Sequence, residues 1–401
     1  MFRAITTSTL LVCSLAYSQL GYSEGFSGNV SAKMSMFKNE AVAENQDDLY
    51  SSIAFQPKYT YVWDNNRQIF GIELFARVNE SLPSTTDIRE LSWIYSADDW
   101  EIRGGIRKVF WGVTESQHLV DIINQTDFSE SFDGEEKLGQ PMLNLAIIQD
   151  WGTLDLFVLT GFRERRFPDE NARLGFPLPI TNGAVKYESD SEDRHIDYAA
   201  RWSHYIGDWD FGLSYFYGTN REPGFVPSGN SANHVVPIYE IIHQVGFDVQ
   251  ATIENWLWKL EAIYRDGAKD AKSAEHAFLA TTAGLEYSFF DIDNTGVDVG
   301  LVAEVSYDER GDASTTPFQN DSMFGIRLAL NDEQSTDALV GVIYDNDGKG
   351  KIFSMEANRR IGEDFKLTLN GYLFTDISSA DPLFYSYGNE DFIEFELGYY
   401  Y

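Results

Sequence analysis

Apolar and polar residues alternate with a period of two along most of this chain. In its last segment Ile393, Phe395, Leu397, Tyr399 and Tyr401 fall on one face, and Glu394, Glu396, Gly398 and Tyr400 on the other. Phe365, Leu367, Leu369, Gly371 and Leu373 alternate with Lys366, Thr368 and Asn370, and Val297 to Tyr307 repeats the pattern. Successive side chains of a strand point to opposite faces, so each segment predicts a strand of about ten residues with one apolar and one polar face. That length and dyad suit a strand that crosses a bilayer.

The connections alternate in length. Asp64-Asn65-Asn66, Ser96 to Asp99, Asp150-Trp151-Gly152, Gly207-Asp208, Glu254-Asn255, Asp291 to Gly296, Asp332 to Ser335 and Gly362-Glu363-Asp364 are short and rich in turn formers. Between them lie mostly long segments at 38–50, 79–87, 113–141, 163–193, 220–236, 266–275, 308–321 and 375–391, with 345–350 the short one on that side. A sandwich or propeller has no reason to keep this rhythm. Aromatic rings also gather at the short turns: Tyr61 and Trp63, Trp93 and Trp100, Trp151, Trp202 and Trp209, Trp256 and Trp258. Amphipathic rings at one end of the strands make an interfacial girdle. The expected fold is all-β: a transmembrane antiparallel β-barrel over 19–401 with about eighteen strands (sixteen the alternative), short periplasmic turns and long extracellular loops.

Composition narrows the partners. Asp and Glu number 63 against 30 Lys and Arg, which argues against nucleic acid. The first residues, MFRAITTSTLLVCSLAYS, read as a secretory signal peptide over 1–18, with cleavage as late as 23 the second choice. Cys13, the single cysteine, falls inside it, so the exported chain is expected to carry no disulfide.

The last strand, closing on Tyr399 and Tyr401, resembles the assembly signal of Gram-negative outer-membrane β-barrels. Those families usually end in Phe. With the leader and the strand count, the mature chain is similar, at the level of the class, to general outer-membrane porins. The resemblance implies the outer membrane of a Gram-negative bacterium, contact with lipid and lipopolysaccharide, and recognition of the last strand by the barrel-insertion machinery. It implies passive diffusion of small hydrophilic solutes and no cofactor. The alternative is a selective uptake channel whose constriction binds an anionic metabolite, an oligosaccharide or an iron chelate. Monomer and homo-oligomer both stay open.

If the apolar faces meet lipid, the opposite faces line the interior. These hold Glu73 and Arg77 on the third strand, Glu101, Arg103 and Arg107 on the fifth, and further round Asp248, Glu261, Glu304 and Arg327. Charges of both signs without apolar filling suit a water-filled lumen. Arg77, Arg103 and Arg107 are expected to form a basic cluster, which either screens solutes or braces the wall through Glu73 and Glu101.

Catalytic motifs are missing. There is no G-x-S-x-G, no cysteine nucleophile in the exported part, and no HExxH among the six histidines. Asp345 to Gly350 lacks the last ligand of a calcium loop. In Val109-Phe-Trp-Gly-Val-Thr-Glu-Ser-Gln-His118, Thr114 to Gln117 fits a capping box, and Leu119, Ile122 and Ile123 follow at helical spacing. The segment 113–141 is therefore expected to start with a short helix and to carry an acidic run from Asp127. Glu115, His118 and Asp121, three apart, would fan around such a helix and not converge on a metal. Gly105-x-Arg107-x-Val109-x-Trp111-Gly112 followed by Leu119-x-Asp121-x-x-Asn124-x-x-Asp127 resembles a recurrent feature of large porin-like barrels. Those usually carry a proline near the second acidic position, where Gln125-Thr126 stand here. The expectation is an acidic loop folded toward a basic wall, with Glu115, His118, Asp121 and Asp127 among the pore-lining residues.

Overall fold

The computed structural model describes residues 24–401, apart from 42, 176–177, 182–183, 229–230 and 382–383. The signal peptide read at 1–18 lies outside the described residues. The chain forms strands β1 (Gly25–Phe37), β2 (Leu49–Trp63), β3 (Gln68–Asn79), β4 (Thr85–Ser96), β5 (Trp100–Arg107), β6 (Gln140–Gln149), β7 (Gly152–Leu159), β8 (Lys186–Tyr187), β9 (Asp197–Ile206), β10 (Trp209–Thr219) and β11 (Gly224–Ser228). It continues with β12 (Ser231–Tyr239), β13 (Ile241–Ile253), β14 (Trp256–Asp266), β15 (Phe278–Phe289), β16 (Asp298–Asp308), β17 (Asn320–Ala329), β18 (Asp337–Asp345), β19 (Lys351–Ile361), β20 (Phe365–Thr375) and β21 (Phe392–Tyr400).

All but β8, β11 and β12 belong to one 18-stranded antiparallel sheet, which closes where β1 pairs with β21 from Asn29↔Tyr400 to Phe37↔Phe392. Closure leaves no strand edge, so every strand's backbone groups find partners within the sheet. The seam is finished by reciprocal backbone bonds between Gly28 and Tyr401 at 3.2 and 3.1 Å. The strand number is eighteen and not sixteen. The short connections fall where turn chemistry predicts them. Asp64, Asn65 and Asn66 all adopt positive φ (57°, 54° and 66°), a region that Asn and Asp tolerate better than most residues. Short strands β8, β11 and β12 form a separate small sheet within the long connections 160–196 and 220–240. Nothing in the alternation predicts it, because β8 and β11 are short and β12 lacks a strict apolar–polar alternation.

The outer surface is apolar. On β17 Phe324 and Ile326 are 57% and 49% exposed, and on β16 Leu301, Val305 and Tyr307 face outward beside them. In water each such side chain would forgo about 1.5–3 kcal/mol of burial, which a lipid environment recovers. Inward positions are mostly polar, but not uniformly so. Trp111, Leu119, Val120, Ile122 and Ile123 of segment 108–139 pack against Met142, Phe157, Phe216, Ile263 and Phe278 on the inner wall. The expectation of a lumen without apolar filling is therefore corrected: one side of the interior holds a packed core, made by the connection after β5.

Candidate functional site

The polypeptide between β5 and β6 runs inside the barrel. Its neck is closed by Asn124, whose Oδ1 accepts from the Val109 N–H while its Nδ2 donates to the carbonyls of Arg107 and Leu138, each at 2.8 Å. One buried amide thus ties the start, middle and end of the segment. Beyond the neck, Val120 lies at full burial, and Trp111 stands edge-on to Phe157 of β7 with the Arg201 guanidinium over its ring. Arg201 reaches Asp248 across β10 in a two-bond pair at 2.7 and 2.9 Å, and only a glycine, Gly212, leaves room for it.

The helix expected from Thr114 to Gln117 does not form. Thr114 Oγ1 donates to the Gln117 carbonyl at 2.6 Å instead of accepting from an N–H. The same stretch of backbone is held instead by two inward carboxylates. Glu261 of β14 accepts from the N–H of Val113 (2.6 Å), Thr114 (3.0 Å) and Val120 (3.1 Å). Glu304 of β16 accepts from the N–H of Glu115 and of Ser116, both at 2.8 Å. Four of these five N–H groups would lack an internal partner in a helix capped at Thr114 as well; only the Val120 N–H, which such a helix would pair with the Ser116 carbonyl, is diverted to the wall.

The sequence-predicted residues separate into two groups. Arg77 donates to Glu130 of the inner segment at 2.7 Å and to Ser52 at 2.9 Å, and Asp127 meets Arg89 at 3.1 Å and Arg166 at 3.4 Å. Glu115 bridges Lys259 (3.3 Å) and Arg327 (2.9 Å), and Lys137 lies 3.3 Å from Asp121. Glu73, Glu101, Arg103 and Arg107 instead meet the wall. Glu73 accepts from Gln56 at 2.7 Å, Arg103 pairs with Glu101 and donates to Asn144 at 3.1 Å, and Arg107 donates to Asn144 at 3.5 Å.

Arg103 and Arg107 thus meet at Asn144, while Arg77 is drawn away to Glu130, and a second basic cluster forms elsewhere. Arg89, Arg163 and Arg166 converge on Asp87 and Asp127, with Arg163 to Asp87 at 2.6 Å. Arg89 escaped the alternation because β4 carries a bulge: Glu73 faces Glu90 and Leu74 faces Ile88, so Arg89 is the extra residue. Arg163 and Arg166 sit in a loop with no period to read.

Glu115, His118 and Asp121 do not converge, and no group of three or more His, Cys, Asp or Glu side chains placed to hold a metal occurs among the described residues. Each has its own environment. Burial opposes the Glu115 charge, but Lys259 and Arg327 outweigh it and hold the carboxyl below its usual range. Burial also opposes charge on His118, yet Glu135 and Glu261 push its pKa up to about 10. Glu135 Oε1 is 3.2 Å from Nε2, while Glu261 at 3.9 Å from Nδ1 acts as a charge without a hydrogen bond. Burial raises Asp121 despite Lys137.

The inner segment occupies one side of the lumen and leaves a cavity of about 2910 Å³ beside it. Glu115, Asp133 and Glu135 border that space from the segment; Arg327, Glu356 and Glu394 border it from the wall. The tip of the segment is fixed by Phe132, which stands edge-on to Tyr372, Phe374, Tyr387 and Phe392 at 5.3–6.2 Å between centroids.

No protein-family model matches this chain, and no curated protein matches it. Among solved structures, a multiply substituted porin of Rhodopseudomonas blastica is similar at 12% identity and a TM-score of 0.45, covering 94% of this chain and 99% of that one. A triple mutant of the same porin is similar at 12% identity and a TM-score of 0.42, with the same coverage. At scores this low the likeness decides nothing, and the reading of this chain rests on its own geometry.

Proposed function

We propose that this protein is a porin-like channel of a Gram-negative outer membrane that passes small hydrophilic solutes by diffusion. The observation that carries the reading is the pairing of an apolar barrel exterior with a polar cavity narrowed by a segment docked inside. A polar interior with an open cavity beside the docked segment suits a water-filled passage. The segment 108–139 is the constriction in this reading, and Glu115, His118, Asp127 and Arg77 act by fixing its position and charge. Tyr399 and Tyr401 serve as the assembly signal, and outer-membrane lipid and lipopolysaccharide surround the wall. The pure protein reconstituted in planar bilayers is expected to show stepwise conductance, and a silent, correctly closed barrel would end the channel reading. Block of that current by one solute at low concentration, with others inert, would instead assign a selective uptake site.

A further inference from the structure

The inner segment is held across the lumen by its own backbone, and the acceptors come from the wall. Residues 113 to 116 present four consecutive N–H groups, and the Val120 N–H joins them; all five end on the carboxylates of Glu261 and Glu304. The Ser116 hydroxyl completes the set, donating to Glu304 at 2.8 Å, while the single Thr114 Oγ1 proton is shared between the Gln117 carbonyl and Glu261 at 2.6 and 2.8 Å. A run of neighbouring N–H groups turned to one side makes an anion-binding concavity. Here the anions are supplied by β14 and β16, two strands apart and far along the chain from the segment they hold. Glu261 and Glu304 are 0% and 2% exposed, and neither forms an ion pair with Lys or Arg among the described residues. His118 is the one nearby cation of Glu261, at 3.9 Å and out of hydrogen-bonding range. Buried carboxylates without a close basic partner are costly unless hydrogen bonds satisfy them, and these bonds come almost wholly from the segment.

We propose that Glu261 and Glu304 are the positioning residues of the constriction: they fix where segment 113–120 lies and so set the width of the passage. The proposal rests on the channel reading for its consequence, but not for the attachment itself. Because the donors are backbone groups, the hold is nearly independent of side chains at 113, 115 and 120. It depends on the two acids.

Site-resolved hydrogen exchange and single-channel recording on the same refolded samples test it. In the wild-type barrel the N–H groups of Val113 to Ser116 and Val120 are expected to exchange as slowly as strand amides. In Glu261→Ala/Glu304→Ala they should lose that protection while β14 and β16 keep theirs, and conductance should rise and become noisy. Glu261→Gln/Glu304→Gln, which retains one acceptor oxygen per side chain and the packing, should fall between the two. Should the alanine variant fail to close, judged by heat-modifiable gel mobility, the glutamine variant carries the test. Fast exchange of the five amides in the wild type overturns the anchoring. Loss of protection with unchanged conductance overturns the positioning role. A wild type that is protected but passes no current keeps the anchors and refutes the channel.

Discussion

Replacing His118 by Gln offers the sharpest test of the electrostatics inside the barrel. The imidazole lies edge-on to Phe110 with ring centroids 4.7 Å apart, its Nε2 is 3.2 Å from Glu135, and its Nδ1 is 3.9 Å from Glu261. Burial alone would lower its proton affinity, but the two carboxylates raise its pKa from 6.5 to about 10. A tenfold change in proton affinity corresponds to ~1.4 kcal/mol, which puts a ceiling of about 5 kcal/mol on the stabilisation. Lumen water screens Glu135, and Glu261 is already shared with three N–H groups, so roughly half that ceiling is expected. The sign follows from the direction of the shift. Attachment of the segment raises the pKa, so the stabilisation is complete below about pH 6.5, persists at neutral pH, and fades as pH rises through about 10. Histidine-selective nitrogen NMR from about pH 5 to about pH 11, with the variant to assign the signal, reads this pKa directly. In parallel, wild-type conductance should grow noisy only on the alkaline side, whereas the variant should be noisy at neutral pH. A His118 signal that titrates near 6.5 would refute the reasoning, because the ring would then lack its two carboxylate neighbours.

Three further outcomes follow from the same geometry. Arg77→Met should free the Glu130 end of the segment at an expense of about 3 kcal/mol or less, since a buried pair is broken but lumen water relieves the stranded carboxylate; loss of amide protection around Asp127 to Ser131 would report it. Phe132→Ala removes a half-buried ring from contact with four others, so roughly 1–3 kcal/mol of tip attachment should be lost, visible as added open-channel noise. Asp133 and Glu356 face the cavity and form no ion pair with a base among the described residues, Asp133 being held by Ser131 and Glu356 by Asn358 at 3.4 Å. Their charges act on one another, so Asp133→Asn/Glu356→Gln should lower the cation-to-anion permeability ratio several-fold, at on the order of 1 kcal/mol per charge, in reversal-potential measurements.

The barrel was legible because its two signals are redundant. A strand such as Ile393 to Tyr401 shows its period in full, and the turns at Asp64-Asn65-Asn66 and Gly207-Asp208 carry residues that only a tight reversal favours. An apolar exterior and a mostly polar interior keep the alternation regular over most strands, so eighteen strands and the order of short and long connections could be counted. What escaped were departures from the period. Arg89 lies at a bulge, where Asp87, Arg89 and Glu90 break the in-out count. The small sheet of β8, β11 and β12 shows no clean period, because β8 and β11 are short and in β12 the apolar Val235, Val236, Ile238 and Tyr239 fall on both faces.

The inner segment is the instructive failure. Thr114, Gln117 and the apolar residues at 119, 122 and 123 carry a helix signal, and in water a capped turn there would have few competitors. Inside the barrel Glu261 and Glu304, more than 140 residues away, hold the N–H groups of 113–116 and 120, of which a helix would need only that of Val120 for an internal bond. Local propensity is worth tenths of a kcal/mol per residue, whereas burying a side chain such as Leu119, Ile122 or Ile123 against the wall is worth about 1.5–3 kcal/mol. The apolar residues keep their purpose and change their partner. Leu119, Ile122 and Ile123 still form an inward-packing group, but against β6, β7, β10, β14 and β15 instead of along a helix face. The chain thus spends helix-compatible residues on an irregular segment with turns, because the wall offers their apolar side chains a larger burial than a helix face would. Deleting both acids should therefore add no ellipticity near 222 nm in the double alanine variant, because Leu119, Ile122 and Ile123 keep their partners on the wall; a gain of helix signal would show that the acids and not the packing suppress the helix.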